Sequence, residues 1–203
     1  MINIIGLGPG NIGYCTKLGE KLIYNSDILI GGKRNLDSVN DFEGTKIELG
    51  SNLKEIVDYL KVNKDKNISI IASGDPSIYG IGKYLSKNID NKNLNIVSGI
   101  SSMQYIFSRI HTDMNDLYIT SSHGKIPNFD YILQHEKVCM VTDNKIGPNE
   151  IAKEILQRNL KKIMVVGENL SYENERITTA PPEEILKIEK FDMNVVVILD
   201  EKQ

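Results

Sequence analysis

Gly8-Pro9-Gly10-Asn11-Ile12-Gly13 fits G-x-G-x-x-G letter for letter, and it follows the apolar run 2–7, INIIGL. In a dinucleotide-binding protein such glycines bring backbone close to a pyrophosphate at a helix N-terminus. That chemistry needs a partner, a carboxylate about 20 residues on, at the end of the second strand, to hold the ribose hydroxyls. Here the run 27–32, DILIGG, leads into Lys33-Arg34, and its only acid, Asp27, stands at the opposite end. Pro9 also removes an N–H from the loop. Without the acid, the glycines read as a tight turn with no ligand or as a close-approach turn for a different ligand.

Two more glycine turns, 73–82 (SGDPSIYGIG) and 98–104 (SGISSMQ), each follow an apolar run. Glycine lacks a Cβ, so such turns admit a ligand against the main chain. Asp75 reads either as an acceptor for a cationic ligand or, with Pro76, as a turn former. Ser101 and Ser102 read as ligand contacts or as helix caps. Met103 and Tyr105 share helix spacing with Phe107 and Ile110 and read as core. Glu168 is weighed as a solvated carboxylate.

These residues need a frame. Short apolar runs alternate with helix-like segments: strands at 2–8, 27–32, 67–74, 94–99 and 116–124, with helices at 14–25, 51–63, 78–88 and 101–110. Leu18, Leu22 and Ile23 would form the apolar side of the first helix. Leu53, Ile56, Val57 and Leu60 recur at helical spacing behind Ser51, a candidate cap. Unbroken rather than alternating apolar strands predict a parallel sheet covered on both faces. Open sheets of this kind bind ligands beyond the carboxyl ends of their strands.

The Ser, Gly and Pro of 121–129 then predict a junction, with domains at 1–125 and 126–203. In the second domain, strands at 137–143, 161–169, 175–180 and 194–200 surround helices at 148–159 and 181–188. A strand without a long intervening helix predicts a mixed sheet.

Bulk properties narrow the class. The 203 residues are 40% hydrophobic and 25% charged, with net charge −3, which gives no general attraction to nucleic acid or an anionic membrane. Cys15 and Cys139 lack metal-ligand spacing. No run approaches the ~20 apolar residues of a membrane span, and no leader pattern opens the chain. The expectation is a soluble cytoplasmic protein with no metal.

The ordered set GLGPG, GDPxxYG and GISS resembles the tetrapyrrole methylase family, along nearly the whole chain. The resemblance implies an α/β fold of two domains, a mostly parallel N-terminal sheet and a mixed C-terminal sheet, with an active-site cleft between them. It implies S-adenosyl-L-methionine as methyl donor, lined by Pro9, Ser73, Gly74, Asp75, Ile78, Ser101, Ser102, Thr142 and Gly167. Residues 31–36 (GGKRNL), 121–125 (SSHGK) and 165–177 look like the branch that methylates C5 of cobalt-precorrin-7 in cobalamin biosynthesis, corresponding to one half of a fused enzyme. Lys33, Arg34, Arg109 and Lys125 would then meet the substrate's carboxylates, and His123 would shift a proton or hydrogen-bond an acetate.

A homodimer, and a partnership with the C15-methylating decarboxylase, are further implications. The chain departs from the family pattern at Ser98, where Pro is usual, and at Lys125, where Arg is usual; Lys keeps the charge but loses the planar fork. The competing readings are methylation at another ring carbon, of modified histidine or of RNA, a nicotinamide-dependent oxidoreductase, and a non-catalytic binding partner.

Overall fold

The computed structural model describes residues 1–201, which form two compact units, Met1–Ser102 and a second beginning at Met103. The first contains β1 (Ile2–Gly6), α1 (Lys17–Tyr24), β2 (Ile28–Gly31), α2 (Lys33–Asp37), β3 (Thr45–Glu48), α3 (Leu53–Val62), β4 (Ile68–Ala72), α4 (Gly82–Asn88) and β5 (Leu94–Val97). All neighbouring strands pair in parallel, in the order β3-β2-β4-β1-β5.

Alternation along each strand sends successive side chains to opposite faces. Ile2, Ile4, Ile28, Ile30, Ile68 and Ile70 pack against Ile56, Val57 and Leu60 of α3 and Leu85 of α4. Ile5, Leu7, Leu29 and Ile71 pack on the other face with Ile23 of α1, Leu36 and Val39. Both faces are therefore dry, which explains why β1, β2 and β4 are apolar at nearly every position. Each fully buried isoleucine contributes roughly 1.5–3 kcal/mol.

Local signals refine the helices. The Thr16 hydroxyl accepts the Gly19 amide at 3.1 Å, so α1 starts later than residue 14. Ile23 is buried, but Leu18 is 58% exposed and lies outside the expected apolar side. Asn52, not Ser51, caps α3 by accepting the Lys54 amide at 3.2 Å. The strand β3 and the short α2 were not anticipated. The edge strand β3 carries one partly buried side chain, Ile47, in an otherwise exposed TKIE.

The second unit holds β6 (Tyr118–Ser121), α6 (Phe129–Ile132), β7 (Lys137–Val141), α7 (Pro148–Gln157), β8 (Lys162–Glu168), β9 (Arg176–Ala180), α8 (Pro182–Ile185) and β10 (Asn194–Asp200). Its sheet runs β6-β7-β10-β8-β9, with β6–β7 parallel and the remaining pairs antiparallel, the expected mixed sheet. Phe129, Ile132, Val138, Met140, Ile151, Ile155, Met164, Val166, Val196 and Ile198 belong to its core.

The division between the compact units lies upstream of the expected junction after residue 125. It falls between Ser102 and Met103, at the first residue of α5 (Ser102–Arg109). Residues 116–124 do not close the first sheet, because β6 pairs with β7 from Tyr118↔Val138 to Ser121↔Val141. An apolar run looks the same whichever sheet it joins.

Candidate active site

The turns after β2, β4, β1 and β5 leave four consecutive strands of one parallel sheet, all at their carboxyl ends. Three of them interlock through glycine. Gly8 and Gly74 form an isolated bridge in which the Gly74 amide donates to the Gly8 carbonyl at 2.6 Å. Both have positive φ, 99° and 66°, a conformation that side chains resist. A Cβ on Gly6 would lie 2.5 Å from the Gly74 oxygen and 2.5 Å from the Gly99 nitrogen. The glycines after β1, β4 and β5 thus serve mutual backbone contact along one rim.

Asp75 completes this arrangement. It is 8% exposed; one carboxylate oxygen accepts the Ser77 amide at 2.7 Å and the other the Gly99 amide at 3.2 Å. The carboxylate therefore braces its own turn and also ties the β4 turn to the β5 turn. Beyond it, the chain folds over Pro76, whose carbonyl accepts the Gly82 amide at 3.1 Å. Pro9 is buried, Ile78 half-buried and Ser73 exposed. Ser101 is buried, and its Cα lies 3.4 Å from where a Cβ on Gly74 would stand.

Lys33 and Arg34 are exposed in the first turn of α2, directly after Gly31-Gly32. Sequence reasoning missed their neighbour Asn35. It is 8% exposed, and its side-chain oxygen accepts the Ser73 hydroxyl at 3.0 Å. The available signal was a polar residue inside the GGKRNL turn.

In the second unit, the Thr142 hydroxyl at the end of β7 is held at 3.0 Å from the Asn194 carbonyl and 2.9 Å from its side-chain oxygen. Gly167 in β8 is required by packing, since a Cβ would meet Ile106 Cδ1 at 2.5 Å and Leu170 Cδ2 at 2.9 Å. His123 is exposed in a braced turn: its amide donates to Ser121 Oγ at 3.0 Å, and Gly124 donates to Asp143 at 3.2 Å. Amides of Ile146, Lys145 and Gly124 hold the Asp143 carboxyl below its ordinary pKa, with His123 adding a smaller electrostatic effect. Lys125 is exposed in the same turn. Arg109 is engaged with Glu175, Nε to carboxylate oxygen at 3.0 Å.

Met103, Tyr105 and Phe107 are buried, as expected. Glu168 is not a solvated carboxylate. It is 1% exposed and accepts two hydrogen bonds from Arg176, at 2.6 and 2.8 Å, and one from the Asp192 amide at 2.9 Å. The antiparallel β8–β9 register pairs Glu168 with Arg176, which the sequence did not disclose. Among the described residues no group of three or more His, Cys, Asp or Glu could hold a metal ion, and no helix is long and apolar enough to cross a membrane.

The fit to a ligand follows from charge. Residues 8–13, 73–82 and 98–102 contain no cationic side chain and a single acid, Asp75. These three turns of close backbone and one buried carboxylate give a pyrophosphate no cationic partner and favour a cationic ligand group. The strand β2 ends in Gly31 with no ribose-binding acid, so the dinucleotide reading loses its second requirement as well.

A parallel α/β sheet with interlocked glycine turns on one rim, followed by a mixed-sheet unit, defines a class of two-unit α/β enzymes. Residues 1–186 match the tetrapyrrole (corrin/porphyrin) methylases, and the chain belongs to this family of methyltransferases. It is 39% identical over 203 residues, covering all of both chains, to a cobalt-precorrin-7 C(5)-methyltransferase of Salmonella typhimurium. A probable cobalt-precorrin-7 C(5)-methyltransferase of Methanocaldococcus jannaschii is 36% identical over 197 residues, 91% of each chain. The fold is similar to that of a solved uroporphyrin-III C-methyl transferase of Thermus thermophilus complexed with S-adenyl homocysteine. That likeness has a TM-score of 0.81 at 19% identity and covers 98% of this chain and 96% of the other.

Proposed function

We propose that the chain transfers a methyl group from S-adenosyl-L-methionine to C5 of cobalt-precorrin-7, giving cobalt-precorrin-8 in cobalamin biosynthesis. The observation that carries this reading is the rim formed by Gly6, Gly8, Gly74 and Gly99, with its lone acid Asp75, in a chain 39% identical to a relative of that name. The donor supplies an activated methyl on a positively charged sulfur, which leaves with its bonding electrons as a neutral thioether.

The protein's task is placement. Proximity and orientation can contribute roughly 7–11 kcal/mol without any dedicated nucleophile. Pro9, Ser73, Gly74, Ile78, Ser101 and Ser102 are assigned to the donor, and Asp75 to holding their turns together and lowering the local potential for a sulfonium. Thr142 and Gly167 are assigned donor contacts in the second unit. Lys33, Arg34, Arg109 and Lys125 are assigned to carboxylates of the macrocycle, where an arginine offers two parallel hydrogen bonds. His123 is assigned the proton that must move as the ring's bonds rearrange.

The same reading places the enzyme in the cytoplasm as a homodimer, in partnership with the decarboxylase that methylates C15. Light scattering and co-purification test these assignments. The deciding experiment for the reaction is incubation with donor labelled at the methyl and cobalt-precorrin-7, followed by NMR location of the new methyl. Label at C5 is expected; label at another ring carbon overturns the regiochemistry and leaves methyl transfer standing. Binding of NADH in place of S-adenosylhomocysteine would overturn the whole reading.

A further inference from the structure

We infer that Asn35 binds a substrate carboxylate, held in place for it by Ser73. The inference rests on the proposed reading of the rim and extends it to a residue outside the assigned substrate set. Asn35 is almost fully buried, yet the only side-chain partner recorded for it among the described residues is the Ser73 hydroxyl, on its Oδ1. Its Nδ2 group brings two N–H donors for which no acceptor is found among the described residues, and this nitrogen is not among the enclosed polar atoms, so it opens to solvent. A side chain buried and anchored at its oxygen, with only its donor end open, is preorganised to meet an acceptor brought by a ligand.

The surroundings place this donor at the rim. Ser73 is exposed at the carboxyl end of β4, and nothing lies within 4 Å of a Cβ built on Gly32. Lys33 and Arg34 precede Asn35 directly, so one turn would present two cations and a neutral donor to a polycarboxylate. The turn is fixed at its far end: the Lys46 ammonium donates to the carbonyls of Leu36 and Val39. Such bracing holds a binding group near its productive geometry. The Ser73 bond also joins this turn to the β4 turn assigned to the methyl donor.

The test compares Asn35→Asp with the unaltered protein. Aspartate keeps an oxygen for the Ser73 hydroxyl but replaces the free N–H donors with a negative oxygen. Affinity for uroporphyrin III, a polycarboxylated tetrapyrrole probe, is read by fluorescence. S-adenosylhomocysteine affinity and the melting temperature are measured alongside.

The inference requires N35D to weaken the probe about tenfold or more, the scale of losing a hydrogen bond to a charged group and adding repulsion. The effect should shrink as salt rises, while donor-product affinity stays within about twofold. A purely structural asparagine would instead lower the melting temperature and both affinities together. Equal probe affinity in both proteins, or a loss insensitive to salt, overturns it, as does failure of the unaltered protein to bind the probe. S-adenosylhomocysteine binding without probe binding would refute the role of Asn35 while leaving the donor site intact. Loss of S-adenosylhomocysteine binding in the unaltered protein would refute the methyltransferase reading instead. Ser73→Ala supplies the second variant: it should weaken the probe less than N35D does, with no added salt dependence.

Discussion

The Asp75 carboxylate accepts the Gly99 amide at 3.2 Å across two neighbouring turns, while its second oxygen accepts Ser77 within its own turn. One side chain thereby sets the spacing of the β4 and β5 bends. Asp75→Ala should lower stability by about 1.5–3 kcal/mol, the scale of hydrogen bonds to a charged group. Donor affinity should fall with it, because the turns lose their registration. Asp75→Asn, which keeps one acceptor for Ser77, should recover part of both. Thermal melts and calorimetric titration with S-adenosylhomocysteine check this; an Asp75→Ala protein with unchanged melting would refute the tie.

Glycine requirements along the rim are unequal. Gly6→Ala places a methyl 2.5 Å from two backbone atoms that cannot withdraw, so a loss of roughly 1–3 kcal/mol and impaired donor binding are expected. Gly32 has ordinary φ, −62°, and open space around it, so Gly32→Ala should stay within about 0.5 kcal/mol. Chemical denaturation of the two variants side by side measures the contrast.

Glu168 and Arg176 predict an asymmetric pair of losses. Arg176→Ala strands a buried carboxylate with only the Asp192 amide for support, a loss of about 3 kcal/mol by analogy with broken buried pairs. Glu168→Gln leaves a guanidinium that is 56% exposed and can be hydrated, so its loss should be about 1 kcal/mol. Equal losses in urea melts would contradict the burial difference.

The turn carrying His123 should open only in acid. Backbone amides of Ile146, Lys145 and Gly124 lower the Asp143 pKa below its ordinary value of about 3.9. A carboxyl depressed on folding stabilises above its unfolded pKa and loses that contribution as pH falls through the folded one. Protection of those amides, corrected for intrinsic exchange, should be flat from neutrality down to about pH 5 and decline below about pH 4. Asp143→Asn should show less protection above about pH 5 and converge with the unaltered protein in acid.

The two thiols should differ in reactivity. Burial pushes Cys139 up to about 12, and it lies in the core of β7. Burial, with help from Glu20, also raises Cys15, but that residue is only half-buried. A thiol reagent at pH 8 should label Cys15 slowly and reach Cys139 only after unfolding.

The sequence disclosed what repeats or what is chemically unusual. Isoleucine-rich runs marked β1, β2 and β4, and glycines marked the bends that follow. What it hid depends on pairing across the chain. Residues 116–121 have the same apolar look in either sheet, so nothing in them told that the strand pairs with β7 rather than closing the first sheet. Glu168 looked solvated because its partner Arg176 sits eight positions away on an antiparallel neighbour. Asn35 was overlooked because a polar residue in a turn is ordinary until its contact with Ser73 is seen. The edge strand β3 has too few apolar residues to declare itself.

The position of β1 bears on how the chain is made. Ile2 pairs with Ile68 and with Leu94, so both neighbours of this strand are synthesised long after it. Nascent INIIGL must wait, sticky and unpaired, until most of the first unit has emerged. Non-local parallel pairing of this kind folds slowly and is exposed to aggregation meanwhile. The architecture that gathers the glycine bends on one rim therefore leaves an apolar strand to await neighbours made later.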